Sequence, residues 1–230
     1  GFPWVYANEL VTDRRTRNLT PGTLALLEDA GRQQMGVVAV NPASKIICRM
    51  LDQNPEAVID QAWFTQKFQR ALAHRARIYP DPFYRLVHAE ADGLPGVIVD
   101  RFGDVAVVQP NAAWADALME PLVAALVDVT GVSTVIMNGT GRARTLEGLE
   151  ERTDVLRGTA PDAPIPVPMN GAIYMADLTG GHLNVLLADG VYHFTGSQIA
   201  RFNLIRIQPD SHAVVTGRKN CNFTNSFNAA

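Results

Sequence analysis

Four basic side chains recur at helical spacing between positions 67 and 77: Lys67, Arg70, His74 and Arg77. With 3.6 residues per turn, they project within an arc of roughly 80°. No glutamate follows them at the spacing that would neutralise them. A helix can present cations to phosphate oxygens in this way. The same pattern is found on ordinary solvated helix faces, so both interpretations stay open.

The other reactive residue types form no recognisable site. Five histidines are scattered without metal-ligand spacing. Cys48 lies in an apolar run, and Cys221 lies between asparagines with no base nearby. Gly139-Thr-Gly141 follows an apolar run, but Arg144 stands where a dinucleotide fingerprint has its third glycine. We therefore expect no catalytic residue, no metal site and no cofactor-binding residue.

The basic stripe needs a helix, which we predict over residues 60–79. Asp60 is a suitable N-cap, and Pro80 ends the helix. Arg75 falls on the apolar side, where we expect a buried or snorkelling partner for its guanidinium rather than a ligand. The apolar face consists of Phe64, Phe68, Ala71, Leu72 and Tyr79.

The elements around this helix predict an α+β fold. β-prone runs separated by turn residues predict a small, partly closed barrel, and they cover residues 4–10, 23–28, 35–40 and 46–51. Further strands are expected at residues 84–89, 96–100, 105–109, 132–137, 154–157 and 172–177. A helix is expected over residues 112–129, and the four prolines of residues 160–168 indicate an extended connector.

Composition limits the class of protein. The 230 residues are 47% hydrophobic with a net charge of -3, which is typical of a globular protein and excludes wholesale disorder. No apolar run reaches the roughly 18 residues that a membrane span needs. Two cysteines cannot form a disulfide framework, which favours a cytoplasmic location. Three of the 20 basic residues are lysines, and the other 17 are arginines, which suit phosphate recognition but also a GC-rich genome.

The composition changes after residue 181. Residues 182–230 hold six asparagines in 49 positions, whereas residues 1–181 hold seven. The apolar pattern of this segment fits no continuous face, although residues 191–194, 199–207 and 213–216 have strand character. We expect an atypical tail that packs poorly on the preceding residues.

A set of motifs in a fixed order resembles one enzyme family. The acidic turn Glu90-Ala-Asp92-Gly-Leu-Pro-Gly96, followed by Asp100-Arg101-Phe-Gly103, resembles the central domain of the RlmI-type 23S rRNA cytosine-C5 methyltransferases. The other similar segments are Phe2-Pro-Trp-Val-Tyr6, Asn41-Pro-Ala-Ser44-Lys-Ile46 with Arg49, Arg144-Thr-Leu-Glu147-Gly-Leu149, Asn170-Gly171, and Asp177-Leu-Thr-Gly-Gly181.

The resemblance implies a domain order and a ligand. Residues 1–56 would form a PUA-like RNA-binding barrel whose first strand precedes Gly1, and residues 57–181 would form a basic linker helix and a central α+β domain. The partner would be 23S rRNA or another structured RNA, and the family's cofactor is S-adenosylmethionine. The RNA-binding candidates in the barrel are Trp4, Ser44, Lys45 and Arg49, and the basic stripe is a second surface.

The resemblance ends at Gly181, because His182-Leu-Asn-Val replaces the family's Gln-Lys-Thr-Gly. We expect the chain to be truncated before the family's Rossmann-like catalytic domain, to bind no S-adenosylmethionine and to be inactive alone. Three alternatives stay open: an active methyltransferase whose missing domain is supplied elsewhere, a non-catalytic RNA-binding protein, and a scaffold that binds no RNA. A homodimer is a further partner to consider.

Overall fold

The structure is a computed structural model, and it describes residues 3–169, 172–178, 182–187 and 190–195. The chain divides into two units, Gly1–Ala160 and Pro161–Ala230. The first unit contains two sheets, and the second contains one.

The first sheet is antiparallel and has the strand order β1-β4-β3-β2. In the described residues this sheet is open, because its edge strands β1 and β2 do not pair with each other. The partly closed barrel that we predicted is therefore an open sheet in this part of the chain. A short helix, α1 (Arg14–Arg17), which the sequence patterns did not predict, follows the first strand. The strands are β1 (Trp4–Tyr6), β2 (Thr23–Glu28), β3 (Gln34–Val40) and β4 (Ile46–Asp52).

Both faces of this sheet are covered, which explains why β3 is a continuous apolar run. Successive strand residues point to opposite faces. One face forms a small core of its own around Val38, Val40 and Cys48. The other face adds Val37 and Leu51 to the main core of the unit.

The predicted basic helix is present as α2 (Gln61–Ala76). Asp60 is its N-cap as predicted, and its carboxylate accepts the Trp63 N–H at 2.9 Å. The helix ends three residues earlier than we predicted, because the Ile78 and Tyr79 N–H groups both donate to the Arg75 carbonyl at 2.9 Å in a tighter turn.

The second sheet has the order β5-β6-β7-β8-β9 and is antiparallel except for β7 and β8. The crossover between these two parallel strands holds α3 (Ala113–Ala117) and α4 (Met119–Thr130), so the helix predicted over residues 112–129 is interrupted at Leu118. A short helix that we did not predict, α5 (Arg142–Leu146), precedes β9. The strands are β5 (Phe83–His88), β6 (Val97–Phe102), β7 (Val105–Pro110), β8 (Thr134–Gly139) and β9 (Arg152–Arg157).

Aromatic residues of α2 anchor it in the main core. Phe64 and Phe68 are fully buried, as the apolar pattern predicted. The Phe64 ring stacks on Trp114 of α3 with a centroid distance of 6.0 Å. Trp63, which the pattern did not include, is also buried and meets Phe64 edge-on at 5.2 Å. This packing fixes which side of α2 faces solvent.

The second unit is a meander of β10 (Ile165–Met169), β11 (Ala172–Ala176), β12 (His182–Leu187) and β13 (Gly190–Thr195). The predicted connector is therefore wrong in part, because its last residues pair as an edge strand, where proline is tolerated. We expected residues from 182 onward to pack poorly on the preceding residues, but β12 pairs with β11 in the structure. The strands predicted at residues 199–207 and 213–216 lie outside the described residues.

Candidate nucleic-acid interface

Three members of the predicted basic stripe form an exposed cationic face along α2 and at its C-cap, Arg77. Arg70, His74 and Arg77 are all exposed, and among the described residues none of them forms an ion pair. At a rise of 1.5 Å per residue, they span about 10 Å along the helix. We call these three residues the α2 cationic face.

Lys67, the fourth member of the predicted stripe, is held by its neighbours. Its ammonium lies 3.8 Å from an Asp52 carboxylate oxygen and 4.6 Å from the centre of the Trp63 ring. Burial alone would raise the pKa of Asp52, but hydrogen bonds from the Asn54 N–H and Trp63 Nε1, together with the Lys67 charge, hold it below its usual range. Lys67 therefore links α2 to the end of β4.

Arg75, which we placed on the apolar side of the helix, has a half-buried partner for its guanidinium. Its two terminal nitrogens donate to the Asp92 carboxylate at 2.9 and 2.6 Å, and its Nε donates to the Arg85 carbonyl. Asp92 also accepts the His88 N–H at 2.7 Å. Asp92 of the acidic turn thus fixes α2 against β5.

The barrel candidates Ser44 and Arg49 converge on a glutamate that we had not singled out as a site residue. Glu147 is 4% exposed, and its carboxylate accepts hydrogen bonds from Ser44 Oγ at 3.0 Å, Arg49 Nη2 at 2.9 Å and Asn41 Nδ2 at 3.0 Å. Its main-chain carbonyl accepts a second bond from Asn41. No charge pattern pointed to Glu147. Its only signal was its place in the family-like segment 144–149.

Trp4 and Arg49 also meet the acidic turn. They are directly opposite in the β1–β4 register. Trp4 Nε1 donates to Glu90 Oε1 at 2.8 Å, and Arg49 Nη1 lies 3.5 Å from the same oxygen. The Arg49 guanidinium therefore bridges Glu90 and Glu147. We call the set Trp4, Asn41, Ser44, Arg49, Glu90 and Glu147 the junction network, because it connects the first sheet to the second half of the unit.

Lys45 is the barrel candidate that stays outside the junction network. It is exposed in the β3–β4 turn, and its main-chain carbonyl accepts the Ala7 N–H at 3.3 Å. The structure therefore separates the eight predicted RNA-binding residues. Trp4, Ser44 and Arg49 belong to the junction network, and Lys67 forms an ion pair with Asp52. The other four are exposed: Lys45, Arg70, His74 and Arg77.

Gly139, the last residue of β8, is closely packed against its strand partner Arg152 and against Arg144. A Cβ atom there would lie 2.7 Å from the Arg152 carbonyl oxygen and 2.9 Å from Arg144 Nε. Arg144 is 1% exposed and is saturated by Asp116 and by the carbonyls of Pro110 and Glu150. The side chain that replaces the third glycine of a dinucleotide fingerprint therefore packs beside Gly139.

Cys48 is a structural residue. Burial raises the pKa of the Cys48 thiol to about 11, so the thiol stays protonated at neutral pH and acts as a small core residue. Cys221 lies outside the described residues. Within those residues, no cluster of three or more histidine, cysteine, aspartate or glutamate side chains could hold a metal ion. No helix in the described part of the chain is long and apolar enough to cross a membrane.

Comparisons with known proteins agree with the family-like motifs. A family model described as a PUA-like domain matches residues 1–53. Ribosomal RNA large subunit methyltransferase I of Alteromonas mediterranea is 33% identical over 184 residues, which cover 78% of this chain and 45% of that protein. The protein of the same name from Cronobacter sakazakii is 31% identical over 183 residues, which cover 78% of this chain and 46% of its own length.

Solved structures support the same fold. A structure described as a SAM-dependent methyltransferase from Streptococcus mutans matches with a TM-score of 0.62 at 17% identity, over 88% of this chain and 49% of that one. A second, described as a methyltransferase complexed with SAH, matches with a TM-score of 0.62 at 16% identity, over 81% and 44%. At this identity the likeness shows the fold alone.

The resemblance to RlmI-type rRNA methyltransferases that we inferred from the motifs is confirmed by these matches. The chain spans just under half the length of the curated relatives that it matches.

Proposed function

We propose that this chain is the RNA-recognition region of an S-adenosylmethionine-dependent 23S rRNA cytosine-C5 methyltransferase, and that the α2 cationic face contacts the RNA backbone. One observation carries the proposal. Arg70, His74 and Arg77 stand exposed, with no ion-pair partner in the described part of the chain, on the side of α2 opposite the core, in a chain that resembles rRNA methyltransferases. Guanidinium groups in this arrangement match phosphate oxygens.

The candidates in the first sheet divide into two roles. Lys45 is exposed in a turn and can contact phosphate directly. We propose that Trp4, Ser44 and Arg49 act through the junction network, because their polar atoms already bind Glu90 and Glu147. They would hold the first sheet in a fixed position relative to α2, so that both RNA contacts are made together. Lys67 is a further phosphate contact if RNA draws its ammonium away from Asp52.

Salt-dependent binding tests the proposal. We expect a labelled 23S rRNA fragment to bind the chain, with an affinity that falls linearly with log salt. The variant Arg70→Gln/Arg77→Gln should bind more weakly, with a slope shallower by about 1.4 to 1.8 units, since each lost phosphate contact removes about 0.7 to 0.9. Glutamine keeps helix propensity, so the melting temperature should not change.

A matched control removes the same charge elsewhere. Arg142 and Arg157 are both exposed and lie outside α2. Arg142→Gln/Arg157→Gln should keep the wild-type slope. An α2 double variant with unchanged affinity and slope would return the α2 cationic face to an ordinary solvated face. A wild-type chain that binds no RNA would favour the scaffold interpretation.

The resemblance implies that the family's cofactor is bound by residues beyond Gly181, and His182-Leu-Asn-Val departs there from the family's Gln-Lys-Thr-Gly. We propose that this chain neither binds S-adenosylmethionine nor transfers its methyl group. Isothermal titration with the cofactor tests this directly. Micromolar binding would contradict the proposal and favour the enzymatic alternative.

A further inference from the structure

Two stacked tyrosines lie where α2 ends. The Tyr79 and Tyr84 rings are 5.5 Å apart between centroids, with 28° between their planes. Tyr84, on β5, is partly buried and packs against the main core. Tyr79 is 41% exposed, although the helical pattern had placed it on the buried face. Tyr79 is therefore a solvent-accessible ring supported by an anchored one.

The position of Tyr79 is defined by the turn that ends the helix. Its N–H donates to the Arg75 carbonyl at 2.9 Å, and the Arg75 side chain is itself fixed by Asp92. Ile78, beside it, is 59% exposed. An exposed ring on a fixed backbone loses little conformational entropy when it binds a flat ligand.

Two basic residues precede this ring closely in the chain. Arg77 is two residues before Tyr79, and His74 is one helical turn before Arg77. Asp81 is an exposed acid in the following loop, and Arg75 is neutralised by Asp92. Residues 70–84 therefore contain the three exposed basic side chains of the α2 cationic face and one exposed carboxylate, that of Asp81.

An exposed ring that follows basic residues in the chain suits one class of ligand. Proteins bind unpaired nucleotides by stacking their bases on aromatic side chains and pairing their phosphates with basic ones. Bases inside a duplex are already stacked on one another, so their faces cannot reach such a ring. We infer that Tyr79, supported by Tyr84 and following His74 and Arg77 in the chain, is a stacking platform for an unpaired nucleotide of the bound RNA. This inference rests on the proposed function.

The test compares two substitutions of Tyr79 with two RNAs. Tyr79→Leu keeps an apolar contact with Tyr84 but removes the aromatic face, whereas Tyr79→Phe keeps it. The probes are a labelled single-stranded RNA of about 12 nucleotides and the same strand annealed to its complement. Binding of each variant as the full chain is measured by fluorescence anisotropy over a range of salt concentrations.

We expect Tyr79→Leu to weaken binding of the single strand by about 5-fold to 150-fold, the usual effect of losing one stacked base. Tyr79→Phe should bind within about 2-fold of the wild type. Duplex affinity and the salt slope should not change in either variant, because the phosphate contacts remain. A Tyr79→Trp variant should show more tryptophan quenching than the wild type, which has three tryptophans of its own, with the single strand and no such excess with the duplex.

The outcomes separate this inference from the proposed function. If the wild type binds neither RNA, both fail. If it binds RNA through Arg70 and Arg77 but Tyr79→Leu equals the wild type, only the stacking platform is refuted. Equal losses for single strand and duplex would also refute it, because they would indicate a general surface effect. The Tyr79→Trp signal decides the matter if Tyr79→Leu does not fold.

Discussion

Replacing Glu147 is the sharpest test of the junction network. The Glu147 carboxylate accepts three side-chain hydrogen bonds, one of them from the Arg49 guanidinium, whose side chain is 12% exposed. In Glu147→Gln the amide keeps one acceptor oxygen but brings an NH₂ group against these donors. Asn41 retains its bond to the main-chain carbonyl of residue 147, so the loop keeps one attachment.

The magnitude follows from the groups left unpaired. Breaking a buried ion pair by removing one partner costs about 3 to 5 kcal/mol. Arg49 keeps its second acidic partner, Glu90, at 3.5 Å. We therefore expect Glu147→Gln to lower the free energy of unfolding by less than this, by about 2 to 3 kcal/mol. For a chain of this length, each kcal/mol lowers the melting temperature by about 2 to 4 °C, so a decrease of about 4 to 12 °C is expected. Glu147→Ala should cost about 3 to 5 kcal/mol, because it removes every side-chain acceptor.

Urea unfolding followed by tryptophan fluorescence measures these changes, since Trp63 and Trp114 report on the main core. Glu151→Gln is the matched control, because Glu151 is exposed on the same connection and its loss should change stability by less than about 0.5 kcal/mol. Arg49→Met combined with Glu147→Gln should cost less than the sum of the single variants, by about 0.5 to 3 kcal/mol.

A Glu147→Gln protein as stable as the Glu151→Gln control would refute this reasoning. Additive single and double variants would also refute it, because residues in one hydrogen-bonded network do not act independently.

Two further predictions concern buried polar groups. The pKa of Cys48, raised by burial to about 11 in the folded chain against 9.0, means that the contribution of this thiol to stability does not change well below pH 9 and falls by about 2 to 3 kcal/mol as the pH rises to 11. Cys48→Ala should lack this loss in pH-dependent urea titrations. Arg75→Met should destabilise the chain by about 3 kcal/mol, because it leaves Asp92 without its bidentate partner. A thermal melt measures this change, and Arg70→Gln, on the exposed side of the same helix, should leave the melting temperature unchanged.

Local patterns predicted the elements well. The cap at Asp60, the buried Phe64 and Phe68, and the exposed cationic face of α2 all depend on residues within a few turns of one another. Errors occurred where a local feature was weak. The helix predicted over residues 112–129 is broken at Leu118, and the short helices α1 and α5 have no periodic signal of their own.

The sequence by itself determined the α+β class, the main strands and the side of α2 that faces solvent, because helix and strand periodicities are written in neighbouring residues. Only the tertiary structure decided what the polar candidates do. Trp4 reaches Glu90 across 86 residues, and Asn41 reaches Glu147 across 106, so no spacing in the sequence pairs them. Tyr79 was placed on the buried face by its helical phase, but the helix ends before it and the turn carries the ring into solvent. The physical reason is the same in each case: the burial and partners of a polar or aromatic group depend on which distant elements pack against it.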